Sequence, residues 1–386
     1  MKSPMTTLCY IEQGDRYLMM HRIRKEHDVN HDKWIGIGGH FEEGESPEEC
    51  LIREVREETG LSLASYRFRG LVTFVSDCWD TEYMCLYTAE VKRRTAGKML
   101  VKDMHTAQDV VWNEKHGSEE ENPHGIAEDE TPNIENLPDC REGVLEWVPK
   151  AEVTKLNLWE GDKIFLKLLA ENAPFFSLKL RYEGDVLREA SLDGQDLELL
   201  DVCDSQGNLT GRVSARCVAH AAGVPHRTVH IWVVRRLPDG KWQVLLQRRS
   251  ERKSSFPGCL DVSSAGHVSA GDTYGESARR ELQEELGIRA EPEKLEYAGI
   301  FDSGDILAKF DGETFHDREI SAVYIYRQEI DADALQLQPE EVDSVLWMDY
   351  EECLAKILSG DSGFCVNIRG IRLVGEYLMH LDTEEL

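Results

Sequence analysis

The 386-residue chain predicts an α/β protein of two domains in tandem. Three observations carry this. A 23-residue pattern occurs twice, at 39–61 and 266–288, 227 positions apart. Around each copy the apolar periodicity runs in the same order: strands, a patterned helix, further strands, a closing helix. The length has room for two domains of ordinary size. Domain 1 is placed at 1–192 and domain 2 at 193–386.

Domain 1 opens with strand-like runs at 6–12 and 17–22. The first patterned segment, GHFEEGESPEECLIREVREETGL, follows. Ser46 is a good N-cap, Pro47 suits the first helical position and Glu49 completes a capping box. Gly60 stops the helix where a left-handed residue is wanted. Strand signals return at 68–76 and 82–91. From 113 to 143 there are ten acidic residues and two basic ones, which reads as a flexible insertion without its own core. A strand at 144–148, a helix at 160–171 and a hairpin of 175–182 with 186–191 complete the domain.

Domain 2 gives strands at 199–203, 228–235 and 243–248. The second patterned segment is GHVSAGDTYGESARRELQEELGI, with Thr273 and Glu276 as its capping box and Gly287 as its stop. Strands at 296–301, 320–326 and 344–348 and a helix at 368–380 follow.

The repeated helix carries the chemistry. Glu54, Glu57 and Glu58 stand at i, i+3 and i+4, so they share one face. Glu281, Glu284 and Glu285 repeat the spacing. Clustered carboxylates repel unless a cation lies between them, and an all-oxygen set suits Mg²⁺ or Mn²⁺. Such ions bridge phosphate oxygens and activate water for displacement at phosphorus. Gly38, Gly39 and Gly266 let the backbone approach a metal or phosphate closely. The bland alternative, a solvated acidic helix face, does not account for the flanking Gly and Arg positions.

Bulk properties narrow the partners. The net charge of −29 argues against a groove for polymeric nucleic acid. A small phosphorylated ligand remains compatible when a divalent cation supplies the positive charge. No apolar run is long enough to span a bilayer, and the N-terminal segment has no signal-peptide core. The ten cysteines are scattered without a C-x-x-C pair, as expected of thiols in a reducing cytoplasm. The oligomeric state is left open.

The spacing is Gly, five residues, an acid, seven residues, then Arg-Glu-aliphatic-x-Glu-Glu-x-Gly-aliphatic. It resembles the Nudix box, matched at every defined position in the first copy. The second copy departs once, with Asp272 in place of Glu. The resemblance implies two Nudix folds, each a mixed β-sheet sandwiched between α-helices, and metal-dependent pyrophosphohydrolase activity. It also implies that Arg53 and Arg280 orient the glutamates by salt bridges, and that Gly38 belongs to the metal site.

Domain 1 is similar to MutT-type enzymes that hydrolyse oxidised purine nucleoside triphosphates such as 8-oxo-dGTP. The segments KWIGIGGHFEEGE and NLWEGDKIFLKLL and the closing hairpin carry this. In that family a W-x-D-D segment reads the base. Trp159 matches the stacking Trp and Asp162 the second Asp, while Gly161 replaces the first Asp and Ile35 replaces a base-contacting Asn. Simple packing is the rival role for Trp159.

Domain 2 resembles the Nudix subfamily near isopentenyl-diphosphate isomerase through PHRTVHIWVV, LLQRRS, FPGCLDVSSAGHVSAGD and RRELQEELGI. Isomerases carry a catalytic Cys immediately before the Gly-His of the box, and here that residue is Ala265. Hydrolysis of a diphosphate is therefore expected, with a non-catalytic ligand sensor or an isomerase as alternatives. His220, His226 and His267 roughly match the family's metal-binding histidines. Arg248 and Arg249 are candidate phosphate contacts.

Overall fold

The structure, a computed structural model, describes residues 4–24, 28–91, 137–310 and 313–384. Most of the acidic stretch at 113–143 lies outside the described residues. The chain divides into two compact units, Met1–Leu71 with Glu82–Leu158, and Val72–Thr81 with Trp159–Leu386.

The first unit holds β1 (Met5–Gln13), β2 (Arg16–His21), β3 (Trp34–Ile35), α1 (Pro47–Thr59), most of β4 (Leu63–Ser76), β5 (Glu82–Val91), β6 (Val144–Pro149) and α2 (Lys150–Val153). Its sheet runs β3-β2-β1-β5-β4, with β6 also on β2. The β1–β5 pair is parallel and the β1–β2 and β2–β6 pairs are antiparallel, so the sheet is mixed. Alternate residues of β1, Cys9 and Ile11, face the core that takes Leu51 and Val55 of α1. The expected caps are present: Ser46 accepts from the Glu49 amide, Glu49 reaches back to the Ser46 amide, and Gly60 stands at φ 67°.

The second unit contains α3 (Glu160–Ala170), the strands β7 (Phe176–Glu183), β8 (Val186–Leu192) and β9 (Gln195–Asp196), then β10 (Leu199–Cys203), β11 (Leu209–Ala215) and α4 (Arg216–Ala222). It continues with β12 (His226–Arg236), β13 (Trp242–Arg249), β14 (Leu260–Asp261), β15 (Ser264–His267), α5 (Tyr274–Leu286) and β16 (Leu295–Asp302). The hairpin β17 (Ile306–Phe310) and β18 (Glu313–Asp317), then β19 (Glu319–Tyr326), β20 (Val342–Asp349), α6 (Tyr350–Leu358) and α7 (Ile368–Glu384) complete it. The first unit's wiring recurs: β12 pairs β19 in parallel, while β13 pairs β12 and β20 antiparallel. The short helices α4 and α6 and the β17–β18 hairpin lie beyond the elements expected from periodicity.

The apolar run of β12 has no polar alternation because both its faces are covered. Val229, Ile231 and Val233 pack on Ala278, Leu282 and Leu286 of α5. Trp232 and Val234 face the opposite way, toward Ile371, Val374 and Leu378 of α7. Each fully buried Leu contributes roughly 1.5–3 kcal/mol. The second unit is therefore a mixed sheet sandwiched between helices, and the expected α/β class holds.

Candidate functional site

Both box helices place one glutamate on the edge of their own apolar stripe. Glu58 follows Val55 by three positions and Leu51 by seven, so helical geometry turns it inward. It is only 8% exposed. The Gly38 amide donates to its Oε2 at 3.1 Å. Glu285 repeats this behind Leu282 and Ala278, accepting from the Ala265 amide at 3.1 Å. Glu54 and Glu281 lie between this buried position and solvent, while Glu57, at 62% exposure, faces outward. The two glycines before the helices leave open the space that these carboxylates occupy. A Cβ on Gly39 would stand 2.5 Å from a carboxylate oxygen of Glu54, and one on Gly266 would stand 2.1 Å from the Glu281 carboxyl carbon.

Arg53 ties the first box together. It donates to Glu45 at 2.6 and 2.9 Å, to Glu54 at 2.7 Å and to the His40 carbonyl at 3.0 Å, and it lies 3.5 Å from Glu57. Arg280 makes the matching contacts with Glu281 at 2.8 Å, Glu284 at 3.4 Å and the His267 carbonyl at 3.1 Å. The Asp272 carboxylate, one methylene shorter than Glu45, is not among its partners; the Asp272 carbonyl instead accepts from Arg227.

The first box gains a carboxylate that the sequence reading assigned to the acidic insertion. Glu142, two residues before β6, pairs with Arg22, which also donates to Asp28 at 2.7 Å. Burial, then repulsion from Glu142 and Glu54, pushes the Glu58 carboxyl up to about 8. Burial likewise raises Glu54, and pushes Glu281 up to about 7 and Glu285 to about 8. Crowded carboxylates, all presenting oxygen, fit a hard divalent cation, which would relieve their repulsion. Glu54, Glu58 and Glu142 are placed to hold it in the first unit. Glu281, Glu285 and Glu198 are the counterparts in the second, where Glu198 adds to the charge that raises Glu281.

In the second unit a cavity of about 290 Å³ brings the box acids together with a second cluster. His220, His226 and His267 present ring nitrogens within 4.8 Å of one another, and His226, Asp317 and Glu319 form an overlapping set. Nδ1 of His226 lies 2.8 Å from the Val224 carbonyl, which can only accept, so Nδ1 carries the proton. Its Nε2 is then a bare lone pair on a fully buried side chain, with no hydrogen-bond partner. Burial lowers all three imidazoles, His220 to about 3, so they are neutral donors. Asp317 is pushed up by burial and by Glu319. Sequence reasoning found the histidines and missed Asp317 and Glu319, whose signal was a pair of acids flanking the start of a strand.

The remaining candidates divide. Arg249 lines the cavity and pairs with Asp261 at 3.0 Å, with Arg216 and Lys253 as further cations of the lining. Arg248 is exposed and donates to the Gly258 carbonyl, outside the lining. Trp159 and Asp162 lie in the second compact unit, at the start of α3. The Trp159 ring is 6% exposed and meets Phe74 and Tyr182 edge-to-face at 6.2 and 5.2 Å. Gly161 is dictated by packing. A Cβ there would stand 2.5 Å from Leu180 and 2.7 Å from the Tyr182 hydroxyl, so an Asp has no room.

Known proteins resemble the chain over both boxed regions. The NUDIX domain model matches residues 2–114 and 225–364. The chain is 40% identical over 157 residues to Nudix hydrolase 3 of Arabidopsis thaliana, covering 40% of this chain and 20% of that protein. It is 37% identical over 187 residues to an uncharacterized Nudix hydrolase of Clostridium acetobutylicum, covering 45% of this chain and 84% of the other. Among solved structures, a MutT protein from Bacillus halodurans aligns at 23% identity and a TM-score of 0.33, covering 50% of this chain and 98% of its own. With its two matched regions and two boxes of intact glutamates, the chain belongs to the Nudix hydrolase family.

Proposed function

We propose that the chain is a tandem hydrolase, with domain 1 at 1–192 and domain 2 at 193–386 each using its own box. The observation that carries this is the pair of buried glutamates, Glu58 and Glu285, each held by a backbone amide beside further carboxylates. A bound Mg²⁺ or Mn²⁺ supplies Lewis-acid polarisation of the diphosphate and an acidified water. Arg53 and Arg280 fix the carboxylates before substrate arrives, so little reorganisation remains at reaction. Gly39 and Gly266 keep the space over Glu54 and Glu281 open. Arg249, Arg216 and Lys253 supply positive charge for the phosphates in domain 2.

Domain 1 follows its MutT resemblance: it converts a nucleoside triphosphate, 8-oxo-dGTP or another purine dNTP, to monophosphate and pyrophosphate. Gly39 borders its phosphates, while Trp159, packed on Phe74 and Tyr182 in the second compact unit, and Asp162 beside it are buried there. Domain 2 hydrolyses a small diphosphate compound. Ala265 leaves its isomerase-like cavity without a thiol at that position, and the intact Glu281, Glu284 and Glu285 argue against a sensor that has lost chemistry. Its His220, His226, His267, Asp317 and Glu319 hold a second cation of borderline character, on the strength of the unpartnered His226 Nε2. No helix among the described residues is long and apolar enough to cross a membrane. All ten thiols are free, in keeping with a cytoplasmic protein acting on small molecules.

A pyrophosphate- and phosphate-release screen tests this, run on the full chain and on its E54Q and E281Q variants with Mg²⁺ or Mn²⁺. The panel holds the four standard dNTPs, 8-oxo-dGTP, NADH, ADP-ribose, CoA and isopentenyl diphosphate. E54Q should abolish hydrolysis of triphosphates and E281Q that of the diphosphate. Hydrolysis insensitive to both changes would remove the boxes as its source. Equilibrium dialysis against Mn²⁺ or Zn²⁺ tests the histidine cluster: one ion per chain should be lost in H226A and retained in E281Q, and equal occupancy in H226A excludes the site.

A further inference from the structure

We propose that Arg227 is the positioning residue of the second box. It holds the turn before α5 from the strand side, in place of the clamp that the first box builds from Glu45 and Arg53. This rests on the reading of the second box as a divalent-cation site.

The two boxes can be compared position by position, because their strand registers coincide. Thr6 bridges His40 and Thr228 pairs with His267, each histidine directly following its box glycine. The Phe41 amide donates to the Met5 carbonyl at 3.2 Å, and the Val268 amide to the Arg227 carbonyl at 3.0 Å. Met5 and Arg227 therefore hold the same place beside their turns. The turns match as well. Gly44 stands at φ 89° and Gly271 at φ 91°, each directly before the box acid. In the first unit that acid is Glu45, which accepts from Arg53 at 2.6 and 2.9 Å and from the Glu42 amide at 2.8 Å. The helix thus closes the turn, and the Met5 thioether has no proton to donate to it.

The second unit inverts this arrangement. Asp272 is too short to take the place of Glu45, and Arg280 is engaged by Glu281, Glu284 and the His267 carbonyl. A terminal nitrogen of Arg227 instead donates to Asp201 at 2.8 Å and to the Asp272 carbonyl at 2.9 Å. The same Asp201 oxygen accepts from the Gly271 amide at 2.9 Å. The guanidinium also lies 5.2 Å from the ring centroid of Tyr274, the first residue of α5. The Arg227 side chain is buried, as an arginine is when its charge is paired. Gly271, Asp272 and Tyr274 are therefore tied to one cation rooted in β12. Ala265, whose amide holds Glu285, and Gly266, which leaves room for Glu281, come just before this turn. A shift of the turn moves α5 against that amide, and the carboxylates with it. The shortened acid and the buried arginine are two halves of one exchange.

The exchange makes positions 227 and 272 interdependent, which an arginine serving stability alone would not do. The experiment uses the full chain with E54Q, E57Q and E58Q to silence the first box. Binding of Mg²⁺ is measured by calorimetry, and E281Q marks the second box's share. Arg227→Met copies the residue of the first unit, and Asp201→Asn accompanies it so that no unpaired carboxylate is left behind. R227M/D201N should weaken Mg²⁺ binding by roughly tenfold, the scale for residues that orient metal ligands. Adding Asp272→Glu, which rebuilds the first unit's clamp, should recover nearly all of that loss. That gain should exceed the one D272E gives with Arg227 in place. A reciprocal arm leaves Arg227 and Asp201 untouched and so stands even where R227M/D201N fails to fold. There E281Q, E284Q and E285Q silence the second box and Glu45→Asp shortens the first box's acid. With Met5 beside that turn, Mg²⁺ binding at the first box should fall by roughly tenfold. Affinity unmoved in R227M/D201N, a D272E gain of equal size in both chains, or E45D without effect overturns the positioning role and leaves the second box a cation site. Absence of E281Q-sensitive Mg²⁺ binding in the parent chain overturns the reading of the box, and the positioning role with it.

Discussion

Removing the divalent cation should make the first unit less stable at alkaline pH, with Glu58 as the cause. In the folded protein burial and the neighbouring carboxylates raise this group from 4.5 to about 8. In the unfolded chain it titrates near its ordinary value. Between those two values the native state holds a proton that the unfolded state has released. Stability therefore falls as pH rises through that window and is highest below it. A rise from 4.5 to about 8, at ~1.36 kcal/mol per pH unit, comes to roughly 4–5 kcal/mol when the whole window is crossed. The assay is hydrogen exchange of the α1 amides in EDTA at pH 5.5 and 8.5, corrected for intrinsic exchange. Wild type should lose a few kcal/mol of opening free energy at the higher pH. Glu58→Gln should abolish most of that loss, because the amide does not ionise. Saturating Mg²⁺ should also abolish it, since the cation replaces the proton. A metal-free wild type equally protected at both pH values, or a loss undiminished in E58Q, refutes the argument.

Other expectations follow from named contacts. Asp272→Glu should restore to Arg280 the acid that Glu45 provides to Arg53, tightening Mg²⁺ binding at the second box by roughly two- to fivefold, the scale of a partly exposed ion pair, as read by titration of metal-dependent activity. Gly39→Ala should place a methyl against the Glu54 carboxylate and lower kcat for the first box's substrate by roughly 100-fold, with circular dichroism unchanged. Gly161→Asp, the change toward the W-x-D-D pattern, should destabilise the fold by roughly 1–3 kcal/mol in urea titrations, because Leu180 and Tyr182 fill the space; a neutral effect would show that the packing yields.

Local rules made much of this molecule legible. The capping boxes at Ser46 and Thr273, the glycine stops and the carboxylate faces depend on spacing within one helix, and each stands where the spacing puts it. The strands that bury one or two apolar faces were also readable, because period two survives in the residue string. What escaped was assembled from distant segments. Glu142 is hidden in an acidic stretch whose composition argues for solvent, yet its place beside β6 brings it to Arg22. Asp317 and Glu319 become partners of His226 only through the parallel register of β12 with β19, in which His226 stands opposite Glu319. Arg248 and Arg249 are indistinguishable in the sequence. Strand alternation separates them, sending one outward and the other toward Asp261. The loss of Asp at position 161 looked like a departure from a family pattern, and packing against Tyr182 explains it locally.

The most direct test of the central claim is pyrophosphate and phosphate release by the full chain with E58Q, E285Q and both changes together. If each unit hydrolyses a diphosphate bond through its own box, each single variant should lose turnover of one substrate set by roughly 100-fold or more and keep the other, and the double variant should lose both. If the double variant retains wild-type hydrolysis, or one change eliminates every activity while the other eliminates none, the account of two independent catalytic boxes is contradicted.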